Sequence, residues 1–229
     1  MKANVKHRVR QAVATMALMA LGGNAMSLEE PNYTVVYEAD GFEYRQYESY
    51  LVSETVIDNA RNSDAAGDEG FRRLFRYISG GNESAAKVSM TAPVSQSKSE
   101  KIAMTVPVQQ SESADGWRVS FMLPSQYTLA TAPRPTDSRV YVREVPARLV
   151  AVKKFSGRWT EANYSKNESR LMAYVNDNNL TPLGEVERAA YNAPFSLPFM
   201  RRNEVMLQVD RLPAEAPLQA EQALKLAAY

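Results

Sequence analysis

Short runs in which apolar and polar residues alternate recur along most of this chain, and that period of two limits the fold more than any other feature. Successive side chains of an extended strand point to opposite faces, so alternation requires a sheet with one face buried. Residues 33–37, 42–47 and 51–56 are such runs, rich in Tyr and Val and separated by Asp40-Gly41 and Glu48-Ser49, and they read as a meander. Residues 117–123 alternate and stop at Pro124; residues 140–145 and 149–155 precede Ser156-Gly157; residues 205–209 form a last strand.

Two segments follow the helical period instead. Phe71, Leu74, Phe75 and Ile78 fall at i, i+3, i+4 and i+7 with Arg72, Arg73 and Arg76 between them, which predicts an amphipathic helix capped by Asp68 and stopped at Gly80-Gly81. A second begins near Asn163, carries Tyr164, Leu171, Tyr174 and Val175 on one face, and closes at Asn178-Asn179. Each half of the chain thus reads strand, strand, helix, strand. The predicted class is α+β, an antiparallel sheet or barrel covered by two helices.

Lys87-Val88-Ser89-Met90-Thr91-Ala92-Pro93-Val94 is echoed fourteen residues later by Lys101-Ile102-Ala103-Met104-Thr105-Val106-Pro107-Val108. The offset is even, so both copies keep the same alternation phase, and the spacing predicts a hairpin with one apolar face. Pro93 and Pro107 lack an N–H and mark edges or strand ends. Met90 and Met104 read most plainly as core fillers. The other reading makes them, with the Tyr-rich strands and the loop from Tyr191 to Phe195, walls of a pocket for a flat hydrophobic ligand.

The inventory of reactive side chains excludes much chemistry. The chain has no Cys and one His, His7, so Cys/His zinc sites, thiol nucleophiles and Fe–S clusters are ruled out. No metalloprotease, nucleophile-elbow, phosphate-loop, dinucleotide or EF-hand motif occurs, so no catalytic residue is assigned. His7 itself lies in residues 1–25, where a basic start, an apolar run over 12–21 and a small-residue end at Ala25 form a secretory signal peptide. The run is too short to span a bilayer, which takes about 20 residues. Cleavage after Ala25 removes Lys2, Lys6, Arg8 and Arg10 and leaves 204 residues with 23 bases against 26 acids. A mildly acidic chain is unsuited to nucleic acid. The expectation is a periplasmic or secreted monomer without a transmembrane segment, divided into a folded domain over 26–210 and an Ala/Pro-rich tail over 211–229, with at most a short helix at 218–226.

Several segments resemble the SOUL haem-binding protein family. They are Phe42-Glu43-Tyr44-Arg45-Gln46-Tyr47, the helix from Phe71 to Asn82, the doubled Lys-x-x-Met-Thr-x-Pro-Val, Val119-Ser120-Phe121-Met122-Leu123-Pro124, Lys154-Phe155-Ser156-Gly157, and Pro198-Phe199-Met200-Arg201-Arg202-Asn203-Glu204-Val205. In order they span nearly the whole mature chain. The resemblance implies a distorted antiparallel β-barrel with two helices, built from two β-α-β halves. It also implies a shallow apolar site for haem or another tetrapyrrole beside the first helix, with Phe71, Phe75, Arg76, Met90 and Met104 as candidate cofactor-binding residues. Some members ligate iron through a His, which the mature chain lacks, so the metal ligand is left unassigned and Met, Tyr or hydrophobic contact would hold the haem. In members without that His, basic residues on the first helix and in the loop before Arg-Arg-Asn-Glu pair the propionates. The matching positions here are Arg76, Asp68 and Leu197, of which only Arg76 is basic. An alternative reading resembles the ligand-binding barrel of multidrug regulators, some relatives of which hydrolyse small electrophiles, and would use Glu204 or Glu83 with a nearby Tyr. The Arg201-Arg202-Asn203-Glu204 run reads either as an anion clamp or as a set of hydrogen bonds that pins the last strand.

Overall fold

Asp40 and Gly41 take φ of 52° and 77°, the left-handed values of a tight reversal, and they fold the first strand onto the second. The computed structural model describes residues 28–84, 99–193 and 195–227. In chain order these form β1 (Tyr33–Ala39), β2 (Phe42–Tyr47), β3 (Tyr50–Ile57), α1 (Ser63–Ile78), β4 (Asn82–Glu83), β5 (Val108–Ser113), β6 (Gly116–Met122), β7 (Arg134–Pro135), β8 (Val140–Val145), β9 (Arg148–Phe155), α2 (Glu161–Asp177), β10 (Glu187–Ala190), β11 (Asn203–Gln208) and α3 (Leu218–Ala227). β4 pairs only with β7.

The other nine strands make one antiparallel sheet in the order β1-β2-β9-β11-β10-β5-β6-β3-β8. The order exposes a duplication. The stretches β2-β3-α1-β5-β6 and β8-β9-α2-β10-β11 correspond element by element, and the sheet is symmetric about the β10/β5 seam, where Ala190 pairs with Val108 and Glu187 with Ser111. Each half gives its first strand to the other: β2 lies against β9, and β8 against β3. The expected meander therefore ends at β2. Glu48-Ser49 carries the chain across to the other half rather than reversing it beside itself.

The sheet buries both faces. On one, Phe42 and Tyr44 of β2, Leu149 and Ala151 of β9 and Val205 and Leu207 of β11 pack with Tyr164, Leu171 and Val175 of α2. Leu212 and Ala220 join that cluster, so the segment after β11 and α3 close over the same core. Leu74, Tyr77 and Ile78 of α1 pack with Leu51, Val119, Phe121, Leu123 and Val140. The third cluster contains no helix residue: Tyr47, Val150, Val152, Ala189 and Met206 of β2, β9, β10 and β11 pack with Tyr50, Val52, Met122 and Val145 of β3, β6 and β8, so the sheet curls until the two sides of its concave face meet. The result is the expected α+β distorted barrel, as an open half-barrel with edges β1 and β8 and a third helix.

α1 differs from expectation in start and facing. It begins five residues before Asp68, with the Asn62 Oδ1 accepting from the Ala65 N–H at 2.9 Å, and its buried stripe is Ala66, Gly70, Leu74, Tyr77 and Ile78. Gly70 sets that rotation: a Cβ there would stand 2.5 Å from Val119 Cγ2, so only glycine lets the helix settle onto β6. Phe71 and Phe75 are turned to the solvent side. The limb of the doubled motif that carries Met90 lies outside the described residues. The other limb forms no strand before Val108, so the predicted hairpin is absent on that side.

Two glycines one turn apart test this packing with opposite signs. Helix propensity alone favours Ala over Gly by about 1 kcal/mol. At Gly67 a Cβ meets only Gln110 Oε1 at 3.5 Å, so Gly67→Ala should raise stability by about 0.5–1 kcal/mol. Gly70→Ala should lower it by about 1–3 kcal/mol through overpacking against Val119. Urea unfolding midpoints of the two variants check both.

Candidate ligand-binding site

The exposed side of α1 carries a stacked aromatic pair. The Phe71 and Phe75 rings lie 5.9 Å apart and 9° from parallel, and Phe71 meets Phe121 of β6 edge-on at 5.3 Å. Phe75 is 46% exposed and Phe71 37%. Two large apolar side chains on one helix face, held in place by a core aromatic, form a prepared apolar surface.

The arginines between them have separate fates. Arg72 reaches Glu69 Oε2 at 2.8 Å, and Arg73 reaches Glu69 Oε1 at 2.9 Å while also donating to Thr55 Oγ1 and the Val56 carbonyl at 3.3 Å. Arg76 is exposed and has no ion pair among the described residues. It is the basic position that the sequence assigned to an anionic group.

The segment before β5 is fastened beside the end of α1. The Ile102 N–H donates to the Ile78 carbonyl at 2.9 Å, Thr105 Oγ1 to the Met122 carbonyl at 2.6 Å, and the Val106 N–H to the Glu29 carbonyl at 2.9 Å. Met104, between these anchors, is 38% exposed rather than a core filler. Because Ala190 pairs with Val108, the loop leaving β10 departs from the sheet end at which this segment arrives, and that loop carries Leu197, also exposed. Thus Phe71, Phe75, Arg76 and Met104 sit on α1 and the segment beside it, and Met90 lies outside the described residues. Asp68 is exposed, eight residues before Arg76.

The Tyr-rich strands do not line this surface. Tyr44, Tyr47 and Tyr50 are buried in the two faces of the sheet. A cavity of about 290 Å³ lies on the concave side, and its walls are largely charged and polar. Glu54 accepts from Arg143 at 2.5 and 3.0 Å and from Tyr141 at 2.6 Å, and Arg148 grips both oxygens of Glu187 at 2.5 and 2.8 Å. A large flat apolar ring gains nothing in such a space.

Arg201-Arg202-Asn203-Glu204 is a strand pin. Arg45 of β2 donates to both Glu204 oxygens at 2.8 and 2.9 Å, Tyr191 adds a hydroxyl at 2.8 Å, and Arg202 bridges Glu204 at 2.9 Å to Glu30. Arg201 lies over the Trp159 ring at 4.4 Å, and Asn203 accepts from the Trp159 indole at 2.7 Å. Burial pushes the Glu204 carboxyl up, but the Arg45 hydrogen bonds and the Arg45 and Arg202 charges outweigh it and hold the group below the ordinary carboxylate value. A general acid needs the opposite shift. Glu83, the other carboxylate considered, is exposed on β4. Among the described residues no cluster of His, Cys, Asp or Glu could hold a metal ion, and no helix is long and apolar enough to cross a membrane.

Known proteins were compared with the chain. The profile of the family described as SOUL heme-binding protein matches residues 28–208. Heme-binding protein 2 of Mus musculus is 29% identical over 198 residues, covering 82% of this chain and 90% of that protein. Heme-binding protein 1 of Xenopus laevis is 29% identical over 170 residues, covering 73% and 84%. Among solved structures, EcmrR in its DNA complex superposes with a TM-score of 0.54 at 8% identity, over 75% of this chain and 57% of that one, a likeness of fold alone.

The Glu204 pin predicts a pH dependence with a definite sign. A carboxyl whose folded pKa is depressed contributes stability that is complete above its unfolded value, about 4.3, and is lost as the pH falls through the folded value. Glu204→Gln should cost about 3–5 kcal/mol at neutral pH, because Arg45 stays buried without its counter-charge. It should also flatten the acid limb of the stability curve. Urea unfolding across that range checks both; a variant as stable as the parent contradicts the pin.

Proposed function

The chain belongs to the SOUL heme-binding protein family, and from that premise we propose that it binds haem or a related tetrapyrrole on the exposed side of α1 without transforming it. The observation that carries this reading is the stacked, exposed Phe71/Phe75 pair on α1, a helix that also carries the exposed Arg76, without an ion pair among the described residues, and beside whose end Met104 is exposed. A planar macrocycle needs apolar contact over its face and a cation for its carboxylates, and these residues supply both. When bound, the haem would bring its own iron chemistry. The protein's part is to shield one face with Phe71 and Phe75 and to anchor a propionate through Arg76. No His is available in the described residues, and Met104 offers the one described thioether beside α1, a soft and weak ligand.

The relatives named as heme-binding proteins support a binding role, and the arginine-held, ionised state of Glu204 argues against its use as a general acid. We take the protein to act as an exported monomer. The signal sequence at residues 1–25 supports that location, and mass spectrometry of the protein recovered from its host should find a mature N-terminus at Met26.

Hemin titration tests the binding reading. The parent should give a saturable, shifted Soret band. Phe71→Ser with Phe75→Ser should weaken binding about tenfold or more, since each lost ring removes a contact worth about 1.5–3 kcal/mol when fully buried. Arg76→Glu should weaken binding of haem but not of its dimethyl ester, which has no carboxylate to pair. Equal loss for acid and ester, or a parent spectrum matching that of nonspecific adsorption, overturns the assignment.

A further inference from the structure

The loop between β10 and β11 holds large apolar side chains in solvent on a rigid frame. Phe195 is 90% exposed and Phe199 74%, and Leu197 and Met200 are exposed beside them. The backbone beneath is fixed at several points. The Gly157 N–H donates to the Pro198 carbonyl at 2.9 Å, Arg201 Nε to the Ser196 carbonyl at 3.0 Å, the Met200 N–H to the Leu197 carbonyl at 2.9 Å, and the Arg202 N–H to Asn192 Oδ1 at 2.6 Å. Side chains that could have folded inward are therefore presented outward.

Bases predominate in the segments next to the loop, and several of them are paired with acids from neighbouring strands and helices. The loop and the end of β9 meet through the Gly157–Pro198 hydrogen bond and the Asn203–Phe155 pairing. Residues 148–160 and 188–203, which contain these contacts, hold no Asp or Glu. They hold Arg148, Lys153, Lys154, Arg158, Arg188, Arg201 and Arg202, whereas the whole chain has nearly equal numbers of bases and acids; Arg148 pairs with Glu187 and Arg188 with Glu161 and Glu168. Lys154 pairs with Glu43 and Arg202 with Glu204 and Glu30, while Arg158 is exposed with no ion pair among the described residues. Trp159 sits at the base of the loop, its indole hydrogen-bonded and its ring under Arg201.

We propose that Phe195, Leu197, Phe199 and Met200 dock this protein onto an anionic lipid surface. Apolar tips, an indole at their base and cations around them match the order of an interface: acyl chains, headgroup boundary, anionic surface. A projecting loop fits a fluid surface that closes around it. The apolar surface needs no conformational change to reach the bilayer. This docking does not depend on the haem reading.

The chain's lack of Cys allows a direct test in the full-length protein. A single Phe199→Cys substitution carries an environment-sensitive fluorophore, with Leu218→Cys as the control label on α3, at another exposed leucine. Vesicles of phosphatidylcholine mixed with phosphatidylglycerol should shift the residue-199 label to the blue, more than the control label. Phosphatidylcholine alone should give little shift, and high salt should reduce the response. Adding Arg158→Glu should weaken the apparent affinity severalfold with no change in unfolding midpoint. Phe195→Ser in the labelled chain should weaken it further. No shift with anionic vesicles overturns the proposal, as does an equal shift at both labels, which would place the contact elsewhere in the chain. A shift that instead tracks protein concentration without lipid, with a dimer in sedimentation equilibrium, would make the loop a subunit interface and overturn it equally.

Discussion

Buried carboxylate–arginine contacts hold the exchanged strands in place. Glu204 stands on β11 of the second half and takes its bidentate partner, Arg45, from β2 of the first. Glu54 stands on β3 of the first half and takes Arg143 and Tyr141 from β8 of the second. Each half thus keeps a carboxylate inside its own strands and fills it with groups from the strand it receives. A charge out of water is stable only when paired, so a sheet lacking its exchanged strand would leave an uncompensated buried charge. Backbone hydrogen bonds between strands are interchangeable; these side-chain pairs are specific to one strand order.

That constraint shapes the places open to a ligand. Among the described residues the concave side is occupied by the strand staples and by the apolar cluster in which both halves meet, and the cavity beside the staples has mostly charged and polar walls. The stacked and exposed Phe71/Phe75 pair lies outside the curl. Gly70 has a part in this on α1: by letting the helix approach β6, it leaves Phe71 and Phe75 on the solvent side.

Much of this was legible in the residues. Alternation located β2 to the residue, and the helical period found α2 with its buried Tyr164, Leu171 and Val175. The duplicated layout was visible as well. The strand exchange was not, because the period of two says which face a residue occupies and nothing about which strand lies beside it. β10 escaped notice because Glu187-Arg188-Ala189-Ala190 has no β-branched or aromatic residue; it is a strand because β5 and β11 pair with it on both sides. The first turns of α1 were hidden by Ser63, Asp64 and Gly67, which read as loop until Asn62 is seen to cap them. For the candidate site, the family resemblance pointed to Phe71, Phe75, Arg76, Met90 and Met104, while the helical period put both aromatics on the buried face of the helix. The spacing of i, i+3, i+4 and i+7 cannot distinguish that stripe from one shifted by a residue when glycine forms part of the contact.

The central claim is that the ligand lies on the outer side of α1, and paramagnetic NMR with ferric haem tests it most directly. Signals of α1 from Phe71 to Ile78 and of residues 102–106 should broaden first, while those of Ser111, Glu54 and Arg148 in the concave cavity stay sharp. Broadening centred on Glu54 and Arg148, with Phe71 and Phe75 unaffected, would contradict the account.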